Sequence, residues 1–410
     1  MTQASAFPSR RESASKRLNE VISKYYPTLE RMAAGKGSGH SLPLPSTPAR
    51  FGAALQGLQR GLTGERLLAG ASYFSSPEYR GAYLLYYWPV SFVQVSLALE
   101  EIRLRGAMPR LRSVLDLGAG PGPASFAALE LGAERVTLMD TSEEALKAAR
   151  WLMESLPGAE AGLSAIRRDF EEDDSLEGGP YDLIVACHSV NELWKGRADA
   201  MGRRRALLEN AIARLSEGGI LLVIEPSALV TCRPALALRD FLLENAGRRG
   251  LSCVAPCPGS FPCPIAAAGE GRGCHSTWPW QPSGPVAALA KAAGLDRDSA
   301  KATWFALRKG PAAPAQPDPP PPLPGELAGR IISEPMLNKA GRVRYIVCTA
   351  SGLATLSAKA ADPLARASGF LSLGRGDLIE ARGLEKRSEG NGFGLMPGTT
   401  VGLSLKAPEA

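Results

Sequence analysis

An α/β fold of the Rossmann-like type, with a parallel sheet covered on both faces, is predicted by three observations. Short apolar strands alternate with helices from Leu111 onward, a Gly-rich turn follows the first of them, and acidic residues close the next two. Strands buried on both faces read as continuous apolar runs, and helical crossovers between them make the sheet parallel. The 410 residues leave room for two or three domains. An apolar share of 45% and a charged share of 21% are ordinary for a globular chain, so neither a disordered nor a fibrous protein is expected.

Residues 1–110 read as a helical region. Apolar residues recur at helical spacing over Arg17–Ala34 and Phe51–Leu68, separated by GKGSGHSLPLPSTP. Tyr79–Arg105 is strongly apolar and aromatic, a helix packed against the next domain, with Pro89 expected to kink or divide it. The first residues have no apolar secretory core. Their Ser and Arg would suit a mitochondrial leader, whereas Glu12 and Glu20 point to a solvated first helix. No run of 18 apolar residues occurs, so no membrane-spanning helix is expected.

The sheet domain is read over residues 111–309. Its strands are Ser113–Leu117, Arg135–Met139, Ser164–Arg167, Tyr181–Cys187, Ile220–Glu225, Leu251–Ala255 and Lys301–Arg308. Helices are expected at Pro123–Leu131, Ser142–Ser155, Ala200–Leu215 and Pro234–Arg248. Residues 256–300 form an insertion rich in proline and cysteine. A polyproline-type linker follows over 310–325, GPAAPAQPDPPPPLPG, which suits an extended spacer and no packed core. Residues 326–385 carry strand-like runs such as RVRYIVCTA and are read as a small β domain, and 386–410 as a loose Gly-rich tail.

Net charge is distributed unevenly. It is +7 over residues 1–110, −6 over 111–250 and +5 over 251–410, within a total of +6. Basic flanks around an acidic core suggest that the flanks meet a polyanion such as RNA.

The cofactor signal lies in VLDLGAGPG at Val114–Gly122. Asp116 ends a strand and Gly118, Gly120 and Gly122 follow, opening a helix whose first N–H groups are free. A dinucleotide fingerprint would need glycine at position 123, which is Pro123. The G-x-G-x-G spacing instead matches S-adenosylmethionine enzymes, making this a class I methyltransferase sheet. Asp140 ends the second strand, where an acid can accept both ribose hydroxyls. Asp169 follows the third, placed for the adenine amino group, with Phe170 able to pack on the ring. After the fourth strand, His188, Asn191 and Glu192 in ACHSVNELW are the candidates to face the methyl group. His188 reads first as a loop-packing or cofactor contact and second as a base. Methyl transfer to a ring nitrogen needs mainly an aligned acceptor and sulfonium, so positioning alone would serve.

Seven cysteines without a secretory signal argue against a disulfide framework. Cys257, Cys263 and Cys274 lie close together in the insertion and Cys348 far downstream. Together they could form a tetrathiolate site for zinc or an iron–sulfur cluster. The gaps of five and ten residues depart from zinc hairpins and favour a cluster. Cys253 and His275 are possible substitute ligands, and Cys187 and Cys232 read as buried thiols.

From about Tyr79 to Arg382 the chain resembles the Rsm twenty-two family, methyltransferase-like proteins of bacteria and mitochondria associated with the small ribosomal subunit. The resemblance is carried by YLLYYWPVSF, VLDLGAGPGPASFAA, ACHSVNEL, LLVIEP, VAPCPGSFPCP, GCH and YIVC. It implies a role in assembly of the small subunit, contact with ribosomal RNA, and a 4Fe-4S cluster on Cys257, Cys263, Cys274 and Cys348. It also maps S-adenosylmethionine onto Asp116, Gly118, Gly120 and Gly122. Some members act as assembly factors without turnover. CHSTWPW departs from the family's CHF-type run, and the long proline linker is peculiar to this chain. The expected compartment is the bacterial cytoplasm first and the mitochondrial matrix second.

Overall fold

In a computed structural model, the described residues are 10–35, 47–64, 68, 73–156, 162–244, 246–247, 249–282, 284–295, 298–311, 323–387 and 390–408. Most of the loop expected between the first helices, and residues 312–322 of the proline linker, lie outside them.

The chain opens with α1 (Arg10–Ala33), α2 (Thr47–Leu58), α3 (Pro77–Ala82) and α4 (Trp88–Leu104). The apolar run expected as one helix is divided just ahead of Pro89. A π-helical turn, Tyr83–Tyr87, joins α3 to α4, and Pro89 takes the first turn of α4, where its missing N–H costs nothing. Pro77–Leu104 is long and apolar enough to cross a bilayer, yet 83% of its apolar window is buried inside the protein.

The alternation then follows as β1 (Val114–Leu117), α5 (Pro123–Leu129), β2 (Arg135–Asp140), α6 (Glu143–Glu154), β3 (Gly162–Arg167) and β4 (Tyr181–Cys187). It continues with α7 (Ala200–Ala213), β5 (Leu215–Glu225), α8 (Leu229–Leu243), β6 (Leu251–Ala255), α9 (Pro264–Ala267), β7 (Ser276–Pro279), α10 (Gly284–Ala292) and β8 (Ser299–Lys309). The strand order is β3-β2-β1-β4-β5-β8-β6. Strands β1 to β5 pair in parallel, and β8 runs antiparallel between β5 and β6. One reversed strand wedged beside the last parallel one is the class I methyltransferase sheet.

Successive residues of the central strands serve opposite faces, as the period of two requires. Leu183 and Val185 of β4 join the core beneath α1 to α6 and α10, whereas Ile184 and Ala186 join the core beneath α7 and α8. Residues 256–300 are not wholly outside the sheet, because β7 pairs with the start of β8. Trp278 in β7 and Trp280 just after it are both fully buried in the first core, which anchors this stretch beside the sheet.

The C-terminal domain consists of β9 (Leu327–Ile331), β10 (Met336–Leu337), β11 (Arg342–Thr349), β12 (Gly352–Lys359), α11 (Pro363–Ala367), β13 (Leu378–Lys386) and β14 (Gly392–Leu405). The expectation of a loose tail over 386–410 is corrected here, since β14 is the longest strand of the domain. It pairs in parallel with β12 and antiparallel with β13. Its glycines suggested a loop, but they admit neighbours: a Cβ on Gly394 would stand 2.1 Å from the Arg387 guanidinium. Val343, Tyr345, Val347, Leu356, Phe370 and Ile379 fill the interior.

Candidate functional site

Ligands of open α/β sheets sit at the carboxyl ends of the strands where neighbouring strands lead off in opposite directions. Here that point lies between β1 and β4. The glycine turn leaves β1, Asp140 ends β2, and His188, Asn191 and Glu192 follow β4, so all three segments share one edge of the sheet. A broad cleft lined by Arg112, Thr137, Ser164 and Tyr181 lies at the opposite ends of the strands, away from these residues.

The turn is built to leave space. Gly118 has φ +65°, and a Cβ there would meet Ser189 Cβ at 2.4 Å. Ser189 in turn donates to Leu117 O at 2.7 Å, tying the β4 loop to the end of β1. Trp88 donates from Nε1 to Pro121 O at 3.1 Å, so α4 fixes the far side of the turn. Asp140 accepts from Gly120 N and Ser142 N, both at 2.8 Å. Each carboxylate oxygen retains a second lone pair, enough for ribose hydroxyls.

Asp116 is 1% exposed. Its Oδ2 accepts from Ser125 N at 3.0 Å and Ser125 Oγ at 2.7 Å, whereas Oδ1 has no partner among the described residues. Burial pushes this carboxyl up to about 7, against the pull of the two Ser125 bonds, and nearby Asp140 adds to the rise. A buried acceptor without a donor beside an open glycine turn fits the ammonium group of S-adenosylmethionine.

The other expected residues divide. Phe170 is 4% exposed and shares a core cluster with Leu117, Met139 and Trp194, so its ring is used in packing. Asp169 is exposed and accepts from Glu171 N at 2.9 Å. Asn191 is 3% exposed: its N–H donates to Glu225 Oε1 at 3.0 Å and its Nδ2 to Thr231 O at 2.8 Å. It holds the loop to β5 and α8. The His188 ring pairs through Nε2 with Gln94 Oε1 at 2.7 Å, and Gln94 donates to Lys301 O at 2.8 Å. Of the three acceptor-side candidates, Glu192 stands within electrostatic reach of Tyr73 and Tyr83.

The sequence reads Tyr83 and Tyr87 as part of a packing helix and does not single out Tyr73. Tyr83 stacks on Tyr87 with ring centroids 5.8 Å apart and meets Tyr73 in a tilted contact at 6.0 Å, and its hydroxyl lies 3.9 Å from where a Gly120 Cβ would be. Burial raises the pKa of Tyr73 and Tyr83, first of all, and the carboxylates of Asp140 and Glu192 add to it. The three rings form an aromatic wall above the glycine turn. The signal was the YLLYY run, whose π-helical turn displaces side chains that a regular helix would align elsewhere.

Cys257, Cys263, Cys274 and Cys348 line one pocket between the insertion and the C-terminal domain. Among the described residues, no group of three or more His, Cys, Asp or Glu side chains is placed to hold a metal ion. Burial raises the thiols of Cys263, Cys274 and Cys348, Cys274 to about 12. Cys257 is lowered, by a hydrogen bond from Cys253 and by Arg239 and Arg330. Cys232 packs behind the pocket, its sulfur accepting from Cys274 N at 3.3 Å.

Arginines hold this irregular loop by its carbonyls. Arg239 donates to Phe261 O and Gly259 O, each at 2.9 Å, and pairs with Asp240, which accepts from Cys263 N at 3.0 Å. Arg105 donates to Pro256 O at 2.7 Å and Cys257 O at 3.0 Å. Arg330, 2% exposed, reaches from β9 to Ser276 Oγ at 2.9 Å. The Nε atoms of Arg239 and Arg330 have no acceptor among the described residues. Two buried cations with spare donors beside four thiols fit an anionic occupant, as a thiolate-ligated cluster would be.

The family model described as Mitochondrial small ribosomal subunit Rsm22 matches residues 78–358. No curated protein matches the chain. Among solved structures, the chain is similar to magnesium protoporphyrin IX methyltransferase from Synechocystis with bound SAM, at 12% identity, TM-score 0.35, covering 75% of this chain and 100% of that one. It is also similar to the N-methyltransferase NodS from Bradyrhizobium japonicum in complex with S-adenosyl-L-homocysteine, at 15% identity, TM-score 0.34, covering 62% and 98%.

Proposed function

Because the chain belongs to the Rsm22 family of mitochondrial small-ribosomal-subunit proteins, matching its model over residues 78–358, we propose that it binds S-adenosylmethionine and methylates or assembles the small ribosomal subunit in contact with ribosomal RNA. The observation that carries the cofactor assignment is the open turn at Gly118–Gly122 with the unpartnered, buried Oδ1 of Asp116 beside it. Asp116 would hold the cofactor's ammonium, Asp140 its ribose, and Tyr83 would cover the turn. When bound, the cofactor supplies a methyl group on a sulfonium. The protein's part is to orient and enclose the acceptor, since displacement at a methyl group depends mainly on alignment.

A 4Fe-4S cluster on Cys257, Cys263, Cys274 and Cys348 belongs to the same proposal, supported by the shared pocket and its buried arginines. A single zinc would need all four sulfurs within ~2.3 Å of one ion, whereas a cluster takes each thiolate on a different iron. The sequence gaps of five and ten residues between Cys257, Cys263 and Cys274, unlike the short hairpins of zinc sites, are what favours the cluster over zinc. For the compartment, the family description is mitochondrial, at odds with the bacterial cytoplasm as first choice, and the mitochondrial matrix is carried forward.

A second reading, an assembly factor without turnover, is favoured by Asn191 and His188, whose side chains are engaged in holding the loop. Calorimetric titration with S-adenosylmethionine, followed by tritium transfer to immature small subunits, separates the two. Binding with incorporation supports the enzyme and binding without incorporation supports the factor. No binding at all ends the cofactor assignment.

A further inference from the structure

The C-terminal domain closes on itself. β9 pairs antiparallel with β11, β11 with β12, β12 in parallel with β14, β14 antiparallel with β13, and β13 antiparallel with β9 again. Taking β9, β11, β12, β13 and β14 as strands one to five, the circuit is 1-2-3-5-4-1, with α11 between the third and fourth. That circuit is the five-stranded Greek-key barrel of the OB type, whose ligand face is formed by strands two and three with the loops joining strands one and two and strands four and five. The family match ends at residue 358, before β13 and β14 complete the barrel.

Strands two and three, β11 and β12, alternate strictly. Val343, Tyr345 and Val347 point inward, as do Ala354, Leu356 and Ala358. The outward residues split the face into two halves. Ile346 and Leu353 pack with Cys348 against the cysteine loop, so one half is covered by the sheet domain. The other half is open and basic. Register pairs Arg344 with Ser357 and Arg342 with Lys359, and Arg342 reaches Ser357 Oγ at 3.4 Å.

Each of the two loops adds one basic residue beside this half-face. The connection from strand one to strand two carries exposed Lys339 and Leu337, the latter 67% exposed. From the connection between strands four and five, Arg387 folds back over Gly394, beside Ser357 on β12, and pairs with Glu385 at 3.3 Å. Among the described residues, no ion pair engages Lys339, Arg342, Arg344 or Lys359. Among the described residues, no aromatic side chain of β11 or β12 faces outward, and Tyr345 and Phe393 fill the interior.

We infer that this half-face, from Lys339 through Arg344 to Lys359 and Arg387, binds a single-stranded RNA segment. Its guanidinium groups contact phosphates and stack on bases, and it shows little sequence preference. The inference deepens the ribosomal proposal by naming the surface that would hold the RNA.

The test is fluorescence anisotropy on the full chain, using a labelled twelve-residue oligouridine and a duplex RNA of equal length. Arg344→Glu with Lys359→Glu is compared with a charge-matched control, Lys147→Glu with Arg382→Glu, and Arg344→Ala serves as the milder variant. The expected result is tighter binding to the single strand than to the duplex. The face variant should bind about tenfold more weakly or worse, with the salt slope reduced by about 1.4, at ~0.7 per phosphate contact. Equal affinity for the two RNAs, equal affinity of face variant and control, or displacement by polyglutamate as readily as by oligouridine would overturn it. A wild-type chain that binds oligouridine through this face but fails to co-sediment with small subunits sustains the barrel assignment and sinks only the ribosomal one.

Discussion

Replacing Asp116 by Asn tests the cofactor turn at its most unusual atom. The carboxyl moves from an ordinary value of 3.8 to about 7 because it is buried. An acid whose pKa is raised by folding binds its proton more tightly in the native state. Native stability therefore falls as pH rises from about 4 to about 7, and the loss is complete above that range. At 1.36 kcal/mol per pH unit the burial of this charge costs about 4 kcal/mol at pH 8 and almost nothing at pH 4. The asparagine removes that cost but leaves its NH2 group without an acceptor, a pH-independent penalty of about 1–3 kcal/mol. Urea unfolding of both proteins at pH 4 and pH 8 isolates the difference. The variant should gain about 4 kcal/mol relative to wild type between the two pH values, and S-adenosylmethionine binding should fall sharply. A gap that does not change with pH would refute the reasoning about Asp116.

Gly118→Ala should abolish cofactor binding, because its Cβ would strike Ser189 at 2.4 Å; Gly132→Ala shares a positive φ without any neighbour within 4 Å and should retain binding. Cofactor titration of both variants reads this directly. Tyr83→Ala should weaken S-adenosylmethionine by about tenfold and Tyr83→Phe by less, if ring stacking above the turn matters more than the hydroxyl. Cys263→Ala should bleach the visible absorption of anaerobically purified protein, and Cys348→Ala should also loosen the barrel, detected as early proteolysis within residues 326–408. Arg330→Met should lower the cluster's reduction potential by on the order of 50 mV, since reduction adds negative charge beside a removed cation. An anaerobic redox titration followed by electron paramagnetic resonance would show whether the potential is instead unchanged.

Legibility followed how local each signal was. The glycine turn, Asp140 and the strands β1 to β6 and β8 were legible in short apolar runs, and the structure puts the turn and Asp140 at one edge of the sheet. The residues alone left buried thiols and a shared site both open for Cys257, Cys263, Cys274 and Cys348; the family resemblance implied the set, and the four line one pocket. What escaped depends on tertiary pairing. Gly392 and Gly394 read as loop residues until Arg387 and Thr355 are seen to occupy the space they leave. Trp278 and Trp280 gave no sign of a strand within a proline-rich stretch. Arg239 and Arg330 look like surface charges in sequence, and only burial beside the thiols reveals their part. Phe170 was read as an adenine contact on register alone, and its packing with Leu117 and Met139 could not be seen in sequence.

The most direct test of the whole account is iron, acid-labile sulfide and zinc content of the full chain purified without oxygen. About four irons and four sulfides per chain, with negligible zinc, are expected for one cluster on four thiolates. Stoichiometric zinc, or no metal at all in protein that still binds S-adenosylmethionine, would contradict it.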